Sequence, residues 1–273
     1  MHVSFATEPS GVHRANEDFV AATPNAAVLL DGAGSGSESG CVHGVPWFVR
    51  RLGASLLVQL THDEEASVAE SLAAAIYDTR RAHAITCDLD HPGSPSATVV
   101  VIRSRGSALD YLVLADSVLV LDLPTGPYAL TDDRQRQLAQ HVYGDAGALQ
   151  GGAGHGTAGQ EHLESNLLPY RNRPGGFWVA ASDPAAAGQA VMGTVGRAEV
   201  KTAALLSDGV SRLVDSFGLA GWPDALATLA SAGPDDLVRR VRAAEVEDRD
   251  GYRWPRAEIH DDATVAHCTD LDQ

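Results

Sequence analysis

The sequence predicts a mixed α+β fold, and three observations carry that prediction. Helix-patterned and strand-patterned segments come in blocks rather than in strict alternation, which argues against a doubly wound parallel sheet. The turn-like Arg105-Gly106-Ser107 separates two apolar runs, the pattern of an antiparallel hairpin. Hydrophobic residues make up 44% of the 273, enough for a sizeable core, and with only 13 prolines the chain carries no signature of disorder.

Taken in order, Val28-Leu29-Leu30 reads as a strand that stops at Asp31-Gly32-Ala33-Gly34. From Val45 to Leu60 the positions of Trp47, Phe48, Leu52, Leu56, Leu57 and Leu60 fall near helical spacing, and a second helix is expected over Val68 to Ile85. Two strands follow, Ala97 to Ile102 and Asp110 to Leu121. The segment Gly144 to Gly159 holds seven glycines and few large apolar residues, so a flap at 144–165 within a single 1–273 domain is expected. Strand-like sequence resumes at Gly176-Phe177-Trp178-Val179-Ala180 and again at Ala203 to Leu206, which stops at Ser207-Asp208-Gly209. Helices are expected over Val210 to Phe217, Asp224 to Ala232 and Asp235 to Glu247. A final strand follows Asp261-Asp262, from Ala263 to Cys268.

Charge narrows the function classes. With 36 acidic against 20 basic residues the net charge is −16, which repels phosphate backbones and anionic lipid, so neither a nucleic-acid nor a membrane partner is expected. No stretch approaches the ~18 consecutive apolar residues of a membrane-spanning helix. The first eight residues lack a basic patch followed by an apolar run, so a cytoplasmic location is the expectation. Cys41, Cys87 and Cys268 are scattered and form no CxxC pair, which reads as isolated thiols rather than a zinc ribbon or disulfide framework.

Four aspartates share one context. Asp31 and Asp208 each end an apolar run and precede a glycine, Asp18 stands just before Phe19-Val20, and Asp261 stands just ahead of the last strand. Taken singly, an Asp-Gly is ordinary turn or helix-cap chemistry. Converging at strand ends without basic partners, such carboxylates repel one another unless a cation sits between them. Hard divalent ions, Mg²⁺ or Mn²⁺, take oxygen ligands of this kind, and a pair of them activates water for attack on phosphorus.

The order of these segments resembles the metal-dependent type 2C serine/threonine protein phosphatases. That resemblance rests on Arg14-Ala15-Asn16-Glu17-Asp18, Asp31-Gly32-Ala33-Gly34, Ala115-Asp116-Ser117, Ser207-Asp208-Gly209 and Asp261-Asp262-Ala263-Thr264, in that order, from about residue 10 to 268. It is supported by Ser96 to Val101 before the central motif and Leu130-Thr131-Asp132-Asp133 after it. The resemblance implies an α-β-β-α sandwich of two antiparallel sheets flanked by helices, with two metal ions at one end. It implies that Asp31 bridges both ions and the Gly32 carbonyl binds one. Asp208 and Asp261 complete one ion's site, and Asp18 reaches the other through waters with Glu17 in support. Asp116 helps hold a weaker third ion, and Arg14 clamps the substrate phosphate. The chain departs from the pattern at Ala115, where glycine is usual, and in the spacing of Arg14, with His13 in the usual slot. At Ala33 some relatives carry a histidine acid, for which His43 is the candidate replacement here.

The expected activity is phosphomonoester hydrolysis on phosphoserine or phosphothreonine of a protein. Two alternatives stand beside it: a phosphatase for a phosphorylated metabolite or antibiotic precursor, and a catalytically silent phosphoprotein-binding module.

Overall fold

A computed structural model describes residues 1–34, 39–149, 167–256 and 258–271. Eleven strands are described: β1 (His2–Glu8), β2 (Asp18–Ala22), β3 (Ala26–Ala33), β4 (Ser96–Ala97), β5 (Val99–Arg105), β6 (Ala108–Leu114), β7 (Val118–Leu123), β8 (Gly126–Leu130), β9 (Val191–Gly196), β10 (Ala203–Leu206) and β11 (Ala263–Thr269). The α-helices are α1 (Val45–His62), α2 (Val68–His83), α3 (Arg134–Leu149), α4 (Asp208–Asp215), α5 (Trp222–Ser231) and α6 (Pro234–Glu247). One sheet runs β1-β11-β10-β7-β8; the other runs β2-β3-β5-β6-β9, with β4 paired to β3, and every pairing is antiparallel.

The period-2 alternation of the strands explains the layering. On β3, Ala27 and Leu29 face the other sheet and pack with Val100, Ile102, Leu119, Leu121, Leu205 and Ala266. Val28 and Leu30 point the opposite way and meet Phe48, Leu52 and Leu56 of α1 and Leu72 and Ile76 of α2. On the far side, Val118, Val120, Ala204, Leu206 and Val265 pack against α4, α5 and α6 through Val210, Leu226, Leu237 and Val241. Each fully buried aliphatic side chain contributes roughly 1.5–3 kcal/mol, so these three cores make the four layers inseparable. The expected α-β-β-α sandwich is what the chain forms. No described helix is long and apolar enough to cross a membrane.

Local chemistry sets the helix starts. Ser67 Oγ accepts from Glu70 N at 3.2 Å and Glu70 Oε2 accepts from Ser67 N at 2.7 Å, a capping box that starts α2 at Val68.

Four expectations need correction. The run 110–121 is two strands, because Ala115 takes a left-handed φ of 66° and the chain turns there from one sheet into the other. An alanine in that region costs about 1–2 kcal/mol, and it gives no turn signal in the sequence. Residues 176–180 form no strand; Ala97 and Ala180 make an isolated bridge, with Ala97 N to Ala180 O at 2.8 Å. Helix α3 runs through residue 149 despite Gly144 and Gly147, so the glycine-rich segment begins helical. The rest of the expected flap, 150–165, lies outside the described residues. The thiols are not scattered either: Cys41 and Cys87 meet, 3.2 Å apart.

Candidate metal centre

Two sheet ends and two turns bring the aspartates together. Asp18 begins β2 and lies directly opposite Asp31, two residues before the end of β3, in the antiparallel register. Asp208 is the first residue of α4, immediately after β10, and Asp261 lies two residues before β11, the strand beside β10. Asp116 sits in the turn that carries the chain from β6 to β7.

The glycines of the two Asp-Gly motifs make this convergence possible by close approach. A Cβ on Gly32 would lie 2.6 Å from the Glu17 carbonyl oxygen and 2.5 Å from Val45 Cγ1. One on Gly209 would lie 1.9 Å from the Asp262 carbonyl oxygen, so the first turn of α4 rests directly on the Asp261-Asp262 backbone. Gly209→Ala is therefore expected to cost about 1–3 kcal/mol through overpacking and to weaken divalent-ion binding with it. Denaturant unfolding and calorimetric titration check both, and no change in either would mean that this contact does not set the site.

Backbone bonds fix the remaining walls. Asp31 N donates to Thr98 Oγ1 at 3.2 Å, Thr98 N donates to the Asp31 carbonyl at 2.8 Å, and Thr98 Oγ1 shares a 2.6 Å hydrogen bond with the buried Ser117 hydroxyl. Asp262 anchors the loop ahead of Asp18 by accepting from Ser10 N at 2.6 Å and Glu17 N at 2.5 Å. The second aspartate of the Asp261-Asp262 pair is thus a structural brace, while the first is turned toward the cluster.

The electrostatics are those of crowded like charges. The Asp31 carboxyl is held well above the usual carboxylate range by desolvation and then by Asp18, Asp208, Asp261 and Asp116. Desolvation pushes Asp18 up to about 8, with Asp262 and Asp208 adding to it. The hydroxyls of Ser207 and Thr264 act the other way, yet both are committed elsewhere, Thr264 to Thr7 at 2.7 Å and Ser207 to the Thr264 carbonyl at 3.3 Å. Both Asp18 carboxylate oxygens are buried and without a hydrogen-bond partner. Asp208 rises to about 7 through desolvation and then Asp261, and Asp116 rises through desolvation and then Asp132 and Asp261. The Asp208 and Asp261 side chains keep 49% of their surface open, so the cluster lines a cleft with a solvent mouth. Desolvation and then the neighbouring Asp261 raise Asp208 in spite of that opening.

Glu17 is pushed up to about 7 by desolvation and then by Asp262, with Arg14 pulling the other way. Arg14 is exposed at the rim, where Nη1 donates to Glu258 Oε2 at 2.5 Å. The structure does not bring His43 into this group through any contact: its Nε2 is 3.0 Å from Thr86 Oγ1 and its ring stacks on Trp47, centroids 4.3 Å apart.

Sequence reasoning missed Arg212, among the described residues the one guanidinium that pairs with carboxylates of the cluster. It lies one helical turn past Asp208, and its Nη2 is 2.6 Å from Asp261 Oδ2 and 3.8 Å from Asp208 Oδ2, while Nη1 is 3.2 Å from Glu245 Oε1. The i, i+4 spacing of Asp208 and Arg212 on a helix was the available signal.

No family model matches the chain, and no curated protein matches its sequence. Solved structures do match in fold. The serine/threonine phosphatase PstP/Ppp of Mycobacterium tuberculosis is 16% identical with a TM-score of 0.60, covering 98% of each chain. The PstP catalytic domain in complex with two manganese ions is 18% identical with a TM-score of 0.59, covering 98% of this chain and 97% of that one. The PPM serine/threonine phosphatase MsPP of Mycobacterium smegmatis, in complex with cacodylate, is 18% identical with a TM-score of 0.53, covering 98% of each. The fold is that of the PPM-type serine/threonine phosphatases, along essentially the whole chain.

Proposed function

We propose that the carboxylate cleft holds two divalent ions, Mn²⁺ or Mg²⁺, and that the protein hydrolyses phosphomonoesters, with phosphoserine or phosphothreonine of a protein as substrate. One observation carries this reading: five aspartates gather in one cleft where, among the described residues, only Arg212 pairs with their carboxylates, and the two buried oxygens of Asp18 have no partner. An all-oxygen donor set with surplus negative charge suits a hard divalent cation and little else. The manganese of the PstP structure is consistent with that choice.

Asp31 is assigned to both ions, with the Gly32 carbonyl, Asp208 and Asp261 completing one site and Asp18, supported by Glu17, serving the other. Asp116, on the β6–β7 turn, is assigned to a weaker third ion. The ions, when bound, supply an activated water and neutralise the charge that develops on the phosphoryl oxygens. The chain's own part is positional. Asp262 and the Thr98–Ser117 pair keep the ligand backbones in place, and Arg14 at the rim orients the phosphate through its planar fork of donors. The Glu258 carboxylate holds that guanidinium beside Glu17. The open mouth at Asp208 and Asp261 admits a phosphorylated side chain and lets solvent protonate the leaving alkoxide.

The test is release of phosphate from p-nitrophenyl phosphate and from phosphoserine and phosphothreonine peptides, with and without Mn²⁺ or Mg²⁺. Metal-stimulated turnover that favours the peptides is expected. Turnover confined to small esters would move the assignment to a metabolite phosphatase. Undetectable Mn²⁺ binding by calorimetry would leave only a silent phosphoprotein-binding module.

A further inference from the structure

A second cluster of metal-type side chains lies outside the carboxylate cleft, built from different donors. Cys41 stands in the turn before α1, His83 is the last residue of α2, and Cys87 follows four residues later. The Cys41 sulfur is 3.6 Å from His83 Nδ1 and 3.2 Å from the Cys87 sulfur, and the three ligand atoms lie within 4.8 Å of one another. Zinc–sulfur and zinc–nitrogen bonds of ~2.3 and ~2.0–2.1 Å at tetrahedral angles place ligand atoms ~3.6 Å apart for S···N and ~3.8 Å for S···S. The first spacing is already met, and the second needs the sulfurs to part by about half an ångström.

The surroundings hold these three residues in place without using them. Asp88 N donates to the Gly40 carbonyl at 2.9 Å and Cys87 N donates to the His83 carbonyl at 3.0 Å, so the backbone on both sides of the thiols is tied together. Ser94 Oγ donates to the Asp88 carbonyl at 2.9 Å and to the Ser39 carbonyl at 3.4 Å, bracing the same two turns. His83 is buried among Trp47 and Phe48, ring centroids 5.2 and 6.2 Å away, and its Nε2 has no hydrogen-bond partner. Burial lowers the pKa of His83, which favours the neutral imidazole a metal requires. Burial pushes the Cys41 thiol up, with backbone groups of His43 and Gly44 pulling the other way, whereas at Cys87 burial is outweighed by hydrogen bonds from Thr86, Cys41, Val42 and His43, which favour the thiolate.

We infer that Cys41, His83 and Cys87 form a zinc site, separate from the carboxylate cleft, that clamps the turn before α1 to the C-terminal end of α2. Two thiolates and an imidazole select a soft or borderline ion over the hard ions suited to the aspartates. Binding displaces the two thiol protons, leaves no change in oxidation state, and leaves the fourth tetrahedral position to water. Zinc at this place stabilises the folded chain by mass action, since the ligands come together only on folding.

Cobalt(II) alone is the probe. The protein is purified under reducing conditions, stripped with chelator and titrated. One equivalent is expected to produce thiolate-to-cobalt charge-transfer absorption and the strong visible bands of a tetrahedral ion, both abolished by one equivalent of Zn²⁺. Cys87→Ser, at a half-exposed position, is expected to lose the charge-transfer band and to show at least tenfold weaker binding at this site. It is also expected to lose the rise in melting temperature that Zn²⁺ gives the parent. Asp208→Asn is expected to keep the band, so failure of this site and failure of the phosphatase reading are separable. Three results would overturn the inference: no charge-transfer band at stoichiometric cobalt, a band that survives Cys87→Ser, or loss of both thiols to a Cys41–Cys87 disulfide in metal-free protein with no metal uptake under reduction.

Discussion

Asp208→Asn is expected to lower metal-stimulated phosphate release by at least about a hundredfold while making the metal-free protein more stable. The activity loss follows from the side chain's place in the cleft. Loss even of groups behind the metal ligands costs 10–100-fold in affinity or activity, and Asp208 is assigned as a ligand itself. The stability gain follows from charge. Asp208 stands among Asp261, Asp116 and Asp31, with Arg212 as the guanidinium bonded in. An amide of nearly the same shape removes one repelling charge, worth about 1 kcal/mol after solvent screening. At about 2–4 °C per kcal/mol for a chain of this size, the metal-free melting temperature should rise by that amount.

The same charges set a pH dependence of definite sign. Asp18 titrates at about 8 in the folded protein and Glu17 and Asp208 at about 7, against 3.8, 4.5 and 3.8 ordinarily. A raised folded pKa means that the native state holds protons the unfolded state has lost, so stability is fully present below about pH 4 and disappears as the pH rises through 7 to 8. The buried His83 and His267 have lowered values and pull the opposite way as their unfolded forms titrate near 6.5, which leaves pH 6.5–8 as the informative window. In chelator, the parent's melting temperature should fall across that window, the fall should be shallower in Asp208→Asn, and Mn²⁺ should flatten it in the parent by taking the place of the protons. A parental turnover rate in the variant, or a melting temperature indifferent to pH in chelator, would place the metal elsewhere.

The site was legible in the sequence where chemistry is local and the fold is periodic. Asp31 and Asp208 could be read because each interrupts an apolar run with a glycine. The close approaches at Gly32 and Gly209 give those glycines a second purpose beyond ending the run: they let one segment rest directly on another. The layered architecture was an expectation of the resemblance, because strands such as β3 and β5, buried on both faces, are continuous apolar runs with no alternation to read. The break at Ala115 was hidden because alanine in a left-handed conformation carries no mark of the turn it makes. Strand β9 was invisible for a related reason: as the outermost strand of its sheet it buries little and reads Val-Met-Gly-Thr-Val-Gly, without alternation. The thiol–imidazole cluster joins residues 41, 83 and 87, and only the packing of α1 on α2 brings them together. The same long-range logic hides Arg212, whose partners Glu245 and Asp261 lie 33 and 49 residues away.

Arg212→Met is expected to destabilise the metal-free protein more than any other single change at the cleft. The guanidinium is 11% exposed and bridges Asp261 and Asp208 in the cleft to Glu245, whose side chain is completely buried behind it. Desolvation alone would lower its pKa, but the three carboxylates outweigh that and raise it, so the charge is firmly held. Removing one member of a buried ion network costs about 3–5 kcal/mol, because the charges left behind stay buried. Glu245 retains Arg242 at 2.9 Å and His260 at 2.7 Å, which keeps the cost toward the lower figure. A loss of about 3 kcal/mol corresponds to roughly 6–12 °C in melting temperature. Divalent ions should then recover most of it. With its guanidinium gone, the Asp261 carboxylate is released for metal and the cleft is one charge more negative, so the Mn²⁺-induced rise in melting temperature should exceed the parent's. Calorimetric scans of parent and variant in chelator and in saturating Mn²⁺ separate the possibilities. If Arg212 is an internal counter-ion to the same carboxylates that hold the metal, the two cations substitute for each other and the variant's deficit shrinks on metal binding. If the deficit is the same with and without Mn²⁺, Arg212 merely braces α4 against α6, and the aspartates it touches are not the ones that bind the ion.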